Sequence, residues 1–239
     1  MKFHLLLAAT LTITLATTFI AACGGGGGDA GAPVSPLPVV SANTFQVKTA
    51  YISYFNDTSS HPFTVSGTTA GFAVTGSGTV TQSPVTSGLF EGATVLQKTS
   101  TVTGSFVANG VTIPLTATDT AYVDANYMAK GWTGEEYVMV TSAALVPDTA
   151  KVNDTGLWHI SNRYADSTKT TLLGTSQVSF ALAPDTATTA LLKINQVDKD
   201  TIGSTVMTAT ANFRVTPTGA LTRLSETAVD GTTTLTLTY

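Results

Sequence analysis

The sequence predicts an all-β protein, an antiparallel meander that closes into a β-barrel or curls into a strongly curved sheet. Three observations predict it. Charged residues make up only 11% of the 239 residues, against about a quarter in ordinary domains, and threonine, which is β-branched and favours strands, fills the surface role instead. Apolar and polar residues alternate through most segments after Phe45, as they do in strands buried on one face. Turn signals punctuate that alternation at short intervals.

The elements follow in order. Strands are expected near residues 45 to 55, 63 to 74, 77 to 82, 93 to 107, 111 to 123, 136 to 143, 156 to 164, 170 to 182, 189 to 198, 204 to 215, 220 to 228 and 232 to 239. Within 111 to 123, Ile113, Leu115 and Ala117 share a face that Asp119 interrupts, while Thr112, Thr116 and Thr118 occupy the other. Within 204 to 215, Met207, Ala209, Ala211, Phe213 and Val215 oppose Thr208, Thr210, Asn212 and Arg214. Asn109-Gly110 and Asp230-Gly231 suit type I′ hairpins, Thr216-Pro217-Thr218-Gly219 a proline turn, and Asn56-Asp57-Thr58 an Asx turn. No amphipathic helix is expected after the leader. So many strands on short turns favour closure, since a flat sheet of that width is unusual. A weak similarity between residues 95 to 128 and 187 to 220 allows two similar halves.

The N-terminus has a different character. Lys2 and His4 precede an apolar run from Leu5 to Ala22, the n-region and h-region of a secretory signal. That run closes on Ile20-Ala21-Ala22-Cys23, followed at once by five glycines. This stretch resembles the lipobox of bacterial lipoproteins, in which small residues precede a cysteine that is diacylated and becomes the mature N-terminus. The resemblance implies cleavage between Ala22 and Cys23 and acylation, of the palmitate kind, on Cys23. Two or more acyl chains anchor stably where one is marginal. In that family an Asp after the cysteine retains the protein at the inner membrane; Gly24 stands here, so the resemblance implies the outer membrane. The chain divides into a signal peptide (1–22), a lipidated N-terminus and Gly/Pro-rich tether (23–41) and one all-β domain (42–239). As a flexible coil of about 18 residues, the tether reaches on the order of 23 Å.

Composition excludes some classes. The formal charge is −4 and the pI about 5.2, and no Lys/Arg cluster offers a footprint for nucleic acid. Cys23 is the single cysteine, so no intrachain disulfide exists and stability rests on the core. Catalytic signatures are missing: no Gly-x-Ser-x-Gly elbow, His-Glu-x-x-His, phosphate loop or Cys-x-x-Cys. No catalytic residue, metal ligand or cofactor is therefore nominated. His61 and His159 are isolated in sequence. Asp198-Lys199-Asp200-Thr201-Ile202-Gly203 begins like a calcium loop but has Ala209 where the bidentate acid belongs, and reads as a hairpin loop. Glu135-Glu136 reads as a solvated turn.

The densest cluster is Trp158-His159-Ile160-Ser161-Asn162-Arg163-Tyr164. On a regular strand, Trp158, Ile160, Asn162 and Tyr164 face the core and His159, Ser161 and Arg163 face outward. Trp158, His159, Arg163 and Tyr164 are the candidate ligand patch, a guanidinium beside an aromatic platform. Leu235, Leu237 and Tyr239 alternate with threonine in a way that resembles the last strand of outer-membrane barrels, but an apolar lipid-facing band is not sustained. The composite expectation is a lipid-anchored envelope domain, non-enzymatic, that binds an envelope protein or has a structural role. The alternatives are a carrier of an apolar ligand, and an enzyme whose groups converge only in space.

Overall fold

The computed structural model describes residues 41–239. Its elements are β1 (Thr44–Phe45), α1 (Val47–Asn56), β2 (His61–Thr69), β3 (Phe72–Gln82), β4 (Thr86–Phe90), β5 (Ala93–Ala108), β6 (Val111–Val123), β7 (Ala129–Thr133), β8 (Tyr137–Ala143), β9 (Ala150–Lys151), β10 (Thr155–Tyr164), β11 (Leu172–Pro184), β12 (Ala190–Lys199), β13 (Thr205–Val215), β14 (Leu221–Asp230) and β15 (Thr233–Thr238). Hydrogen-bonded neighbours run from β3 through β2, β15, β14, β13, β12, β11, β10, β8, β7, β6 and β5, and β5 pairs back onto β3. The result is a closed antiparallel barrel of 12 strands. The fold is the all-β barrel that the alternation predicts. β4 continues the line of β3 along the same edge of β5, and β1 pairs only with β9.

Alternation sets which way each wall faces. On β13, Met207, Ala209, Ala211, Phe213 and Val215 are buried, while Thr208 and Arg214 are exposed. On β15, Leu235 and Leu237 turn into the barrel beside Phe63 and Val65. Burying such a leucine contributes about 1.5–3 kcal/mol. The outer wall carries threonines that pair across strands, as Thr99 with Thr120 at 2.9 Å and Thr227 with Thr236 at 2.9 Å. Glycines give the interior room for rings: Phe63 lies over Gly78, which faces Gly104 across β3 and β5.

Turn chemistry holds at Asn109 and Gly110, with φ of 49° and 75°, as a type I′ hairpin requires. At the last hairpin Asp230 pairs with Thr233, so the loop is Gly231-Thr232 with positive φ at Gly231 alone. Ala70-Gly71 makes a further tight turn with positive φ at both residues, and it divides the expected strand 63 to 74 into β2 and the start of β3. The short β4 and β7 were not expected.

A helix, α1, spans residues 47 to 56 where a strand over 45 to 55 is expected. Val, Thr, Ile, Tyr and Phe favour strands, but Val47, Ala50, Tyr51 and Phe55 recur at helical spacing and are the buried ones. Packing on that face overrides propensity. α1 closes one end of the barrel, with Tyr51 against Trp158 at 4.9 Å, Tyr54 against Phe213 at 5.3 Å and Phe55 against Tyr127 at 5.7 Å.

β10 also departs from expectation. Its buried face is His159, Ser161 and Arg163. A bulge explains half of the reversal: Leu157 pairs with Ser179 and His159 with Val178, leaving Trp158 as the extra residue, and the strand turns there. Buried carboxylates explain the rest, as described below.

Among the described residues no helix is long and apolar enough to cross a membrane. The expected signal peptide, Cys23 and the expected tether up to residue 40 lie outside the described residues; Ser41, placed in the tether by the sequence, is buried and donates to the Ala187 carbonyl at 2.9 Å.

Candidate functional site

At the α1 end the barrel wall opens into a cleft of about 830 Å³, whose lining includes Tyr54, Asp57, His61, Thr222, Arg223 and Tyr239. The C-terminus of α1 supplies Tyr54. The Asx turn at Asp57, whose Oδ1 accepts from the Ser59 N–H at 2.8 Å, leads into β2 and presents His61. β14 supplies Thr222 and Arg223, and Tyr239 follows β15.

Arg223 is the group that β14 would not ordinarily turn inward together with Glu226. Asn212 pairs with Ser225 and Phe213 with Arg223, so Leu224 is an extra residue and both charged side chains point to the interior. The guanidinium carbon lies 4.6 Å from the Tyr54 ring centre and 5.5 Å from that of Tyr239, a cation held between aromatic faces. Glu226 Oε1 approaches Nη1 at 3.9 Å. Burial raises the carboxyl of Glu226 above its ordinary value, with Arg223 acting the other way. Burial likewise raises Tyr54 to about 12 and Tyr239 further still. Nε and Nη2 of Arg223 and the hydroxyl of Tyr239 are buried without a hydrogen-bond partner.

His61 Nε2 meets Asp57 Oδ2 at 2.6 Å. Burial acts to raise the Asp57 carboxyl, but hydrogen bonds from Ser59 and His61 outweigh it and hold Asp57 below its ordinary value. A histidine beside a carboxylate in a cleft can act as a general base.

Behind Tyr54 and Leu221, which also border the cleft, lies an interior cavity of about 30 Å³ walled mainly by Tyr51, Trp158, Ile194 and Phe213. That is room for a water or two and not for an acyl chain. His159 borders it with both ring nitrogens unpartnered, and desolvation holds its imidazole well below the ordinary histidine value, hence neutral.

The four residues of the candidate patch are not brought together. Trp158 and His159 border the cavity. Arg163 is occupied: its Nε and Nη2 donate to Glu136 at 2.9 and 2.6 Å, and Nη1 lies 3.3 Å from Asp198, which also accepts from Gln196 at 2.7 Å. Glu136 thus has a structural role where a solvated turn was expected, and Asp198 is fully buried. Tyr164 receives the Asn162 amide at 3.2 Å. Among the described residues no group of three or more His, Cys, Asp or Glu side chains is placed to hold a metal ion. The sequence signal for the cleft is slight: Arg223 looks like any strand residue, and of the lining only the Asx turn at residues 56 to 58, His61 and Tyr239 stand out.

Compared with known proteins, the chain matches no protein-family model, no curated protein and no solved structure.

Proposed function

We propose that this chain is a lipid-anchored protein of the bacterial outer membrane whose barrel domain is a non-enzymatic binding module, with the cleft at the α1 end as its recognition site. The cleft carries this reading, because it places a largely buried guanidinium, held between the rings of Tyr54 and Tyr239, on the wall of an open recess. Its volume is in the range of small-molecule sites. The lipobox supports the anchor, and the Gly-rich tether supports a domain held clear of the membrane. The walls support a domain standing in water, since a lipid-facing barrel carries its apolar band outside and here the two apolar clusters lie in the interior, with side chains such as Leu89, Val111 and Ile202 left exposed.

The carrier alternative is weakened at the interior cavity, whose volume of about 30 Å³ has no room for an acyl chain. The enzyme alternative draws on the His61–Asp57 pair; a hydrolase would also require a nucleophile hydrogen-bonded to the histidine, whereas the cleft serine Ser59 bonds to Asp57.

Two measurements test the proposal. Labelled palmitate should enter the wild-type chain and not the Cys23→Ala variant, which should leave the membrane fraction. Native mass spectrometry of the full chain in a neutral detergent should detect a retained ligand or partner that is lost when Thr222→Trp fills the cleft. Retention unaffected by Thr222→Trp would overturn the cleft as recognition site, and membrane retention of Cys23→Ala would overturn the anchor.

A further inference from the structure

α1 is a helix that the barrel end holds together. It is 10 residues long, too short to persist alone, and Val47, Thr49, Tyr51, Ile52, Tyr54 and Phe55 are weak helix formers. Gln46 at its N-cap makes no side-chain cap, and neither an acid in the first turn nor a base in the last supports its dipole. Its seat is side-chain packing, Tyr51 on Trp158 and Tyr54 on Phe213, with Lys98 at its last carbonyls. The chain leaves α1 through Thr58, Ser59 and Ser60, all exposed, so the helix can lift without parting one barrel strand from the next.

Tyr51 and Tyr54 from α1 wall the same interior cavity as His159 from β10, and neither ring nitrogen of that histidine has a hydrogen-bond partner. A neutral imidazole leaves one donor unmet; an imidazolium has two N–H groups and a charge to satisfy. None of the described carboxylates lines the cavity. β7 offers His159 the ring of Trp132 at 5.6 Å, β11 to β14 bring apolar side chains such as Val178, Ile194 and Phe213, and on β10 itself Arg163 already holds Glu136 and Asp198. We propose that α1 is an acid-released lid: protonation of His159 requires water, and α1 is the cover that moves to admit it. The lid stands apart from the recognition reading, although Tyr54 also walls the cleft and a lifted α1 takes that wall with it.

Desolvation holds the His159 imidazole well below its ordinary value while α1 is closed, whereas in water it takes its proton near pH 6.5, or about that. Between those two values the open form binds a proton that the closed form does not, so opening grows about tenfold per unit as pH falls. The other groups near α1 act outside this window or against it. Burial raises Tyr51 and Tyr54, which stay protonated, and draws Lys98 down to about 8. On Asp57 and Asp124 burial acts upward, but hydrogen bonds outweigh it and hold both below their ordinary value. Glu226, raised by burial, binds its proton more readily when enclosed and so opposes opening.

The test is amide hydrogen exchange over residues 47 to 56 of the full chain in a neutral detergent, from pH 7 to 5, corrected for the intrinsic rate. Opening of α1 should rise about tenfold per unit below about pH 6.5, while β12 and β13 keep their protection. His159→Leu, which cannot titrate, should abolish the rise, and His159→Gln replaces it if the leucine variant does not fold. His61→Gln removes the other described histidine and should keep the rise, which decides the matter even if neither His159 variant folds. A flat wild-type profile, a rise that survives replacement of His159, or a rise lost with His61→Gln overturns the inference. So does loss of protection on β12 and β13 in step with α1, which would make His159 a support of the whole barrel and not the trigger of a lid.

Discussion

Lys98, on β5, donates through its ammonium to the backbone carbonyl of Tyr54 at 3.3 Å, at the last turn of α1. The same group also donates to the carbonyl of Asp57 and to the side chain of Gln82. Helix C-termini leave carbonyls unsatisfied, and here a single buried lysine ties them to the barrel wall and so fixes one side of the cleft.

That arrangement has a pH signature. Burial is the main influence on Lys98 and draws it down from 10.5 to about 8, with Asp57 acting upward. Between those values the unfolded chain binds a proton that the folded chain has released, so the stability contributed by this group rises with pH, by at most about 1.4 kcal/mol per unit. Above pH 10 the tyrosines act in the opposite sense, because burial raises Tyr54 to about 12 and folding then favours its protonated form. Urea unfolding of wild type and Lys98→Met from pH 7 to 10 should show the wild type gaining on the variant as pH rises. A constant difference would sink this account. At pH 7 the variant should be less stable by about 1–3 kcal/mol, because carbonyls lose their donor.

Two ion pairs of similar geometry should behave differently. Arg163→Met removes the guanidinium from beside the buried Asp198 and breaks the fork to Glu136, at a cost of about 3–5 kcal/mol. Arg214→Met breaks a pair whose arginine is in solvent, and its thermal midpoint should stay near that of wild type. Equal losses from the two variants would show that burial is not what separates them.

Much of the barrel was legible because one rule, alternation, governs regular strands: β6 has the expected bounds and β13 starts within a residue of expectation. The cleft was not legible because it depends on where alternation breaks. A bulge at Trp158 reverses the faces of β10, and another at Leu224 turns Arg223 and Glu226 inward together, and no local residue signal marks either one. α1 was missed because its residues favour strands while their spacing favours a helix, and only packing against the barrel end decides. Asp198 looked like a loop acid because its partner, Arg163, is 35 positions away in sequence and adjacent only after the barrel closes.

The tip between β4 and β5 folds over the outer wall. Phe90 stacks on Tyr122 at 4.4 Å and on Tyr137 at 5.5 Å, above Gly131, and Glu91 binds Lys169 at 2.7 Å. Phe90→Ala should free this hairpin without opening the barrel. Hydrogen exchange should quicken at residues 93 to 96 and stay unchanged on β12 and β13; uniform acceleration would mean that the tip belongs to the global core.

Gly78 tests how tightly the other half of the interior is filled. A β-carbon there would lie 2.5 Å from the carbonyl oxygen of Thr103 and 2.6 Å from Cζ of Phe63. The ring can shift but the backbone carbonyl of β5 cannot move without parting β3 from β5. Gly78→Ala should therefore destabilise by about 1–3 kcal/mol, as overpacking does. Combining it with Phe63→Leu should recover only part of the loss, since the ring clash is relieved and the carbonyl clash is not. Complete recovery would place the whole strain on Phe63, and the close approach of β3 to β5 would then have no part in requiring glycine.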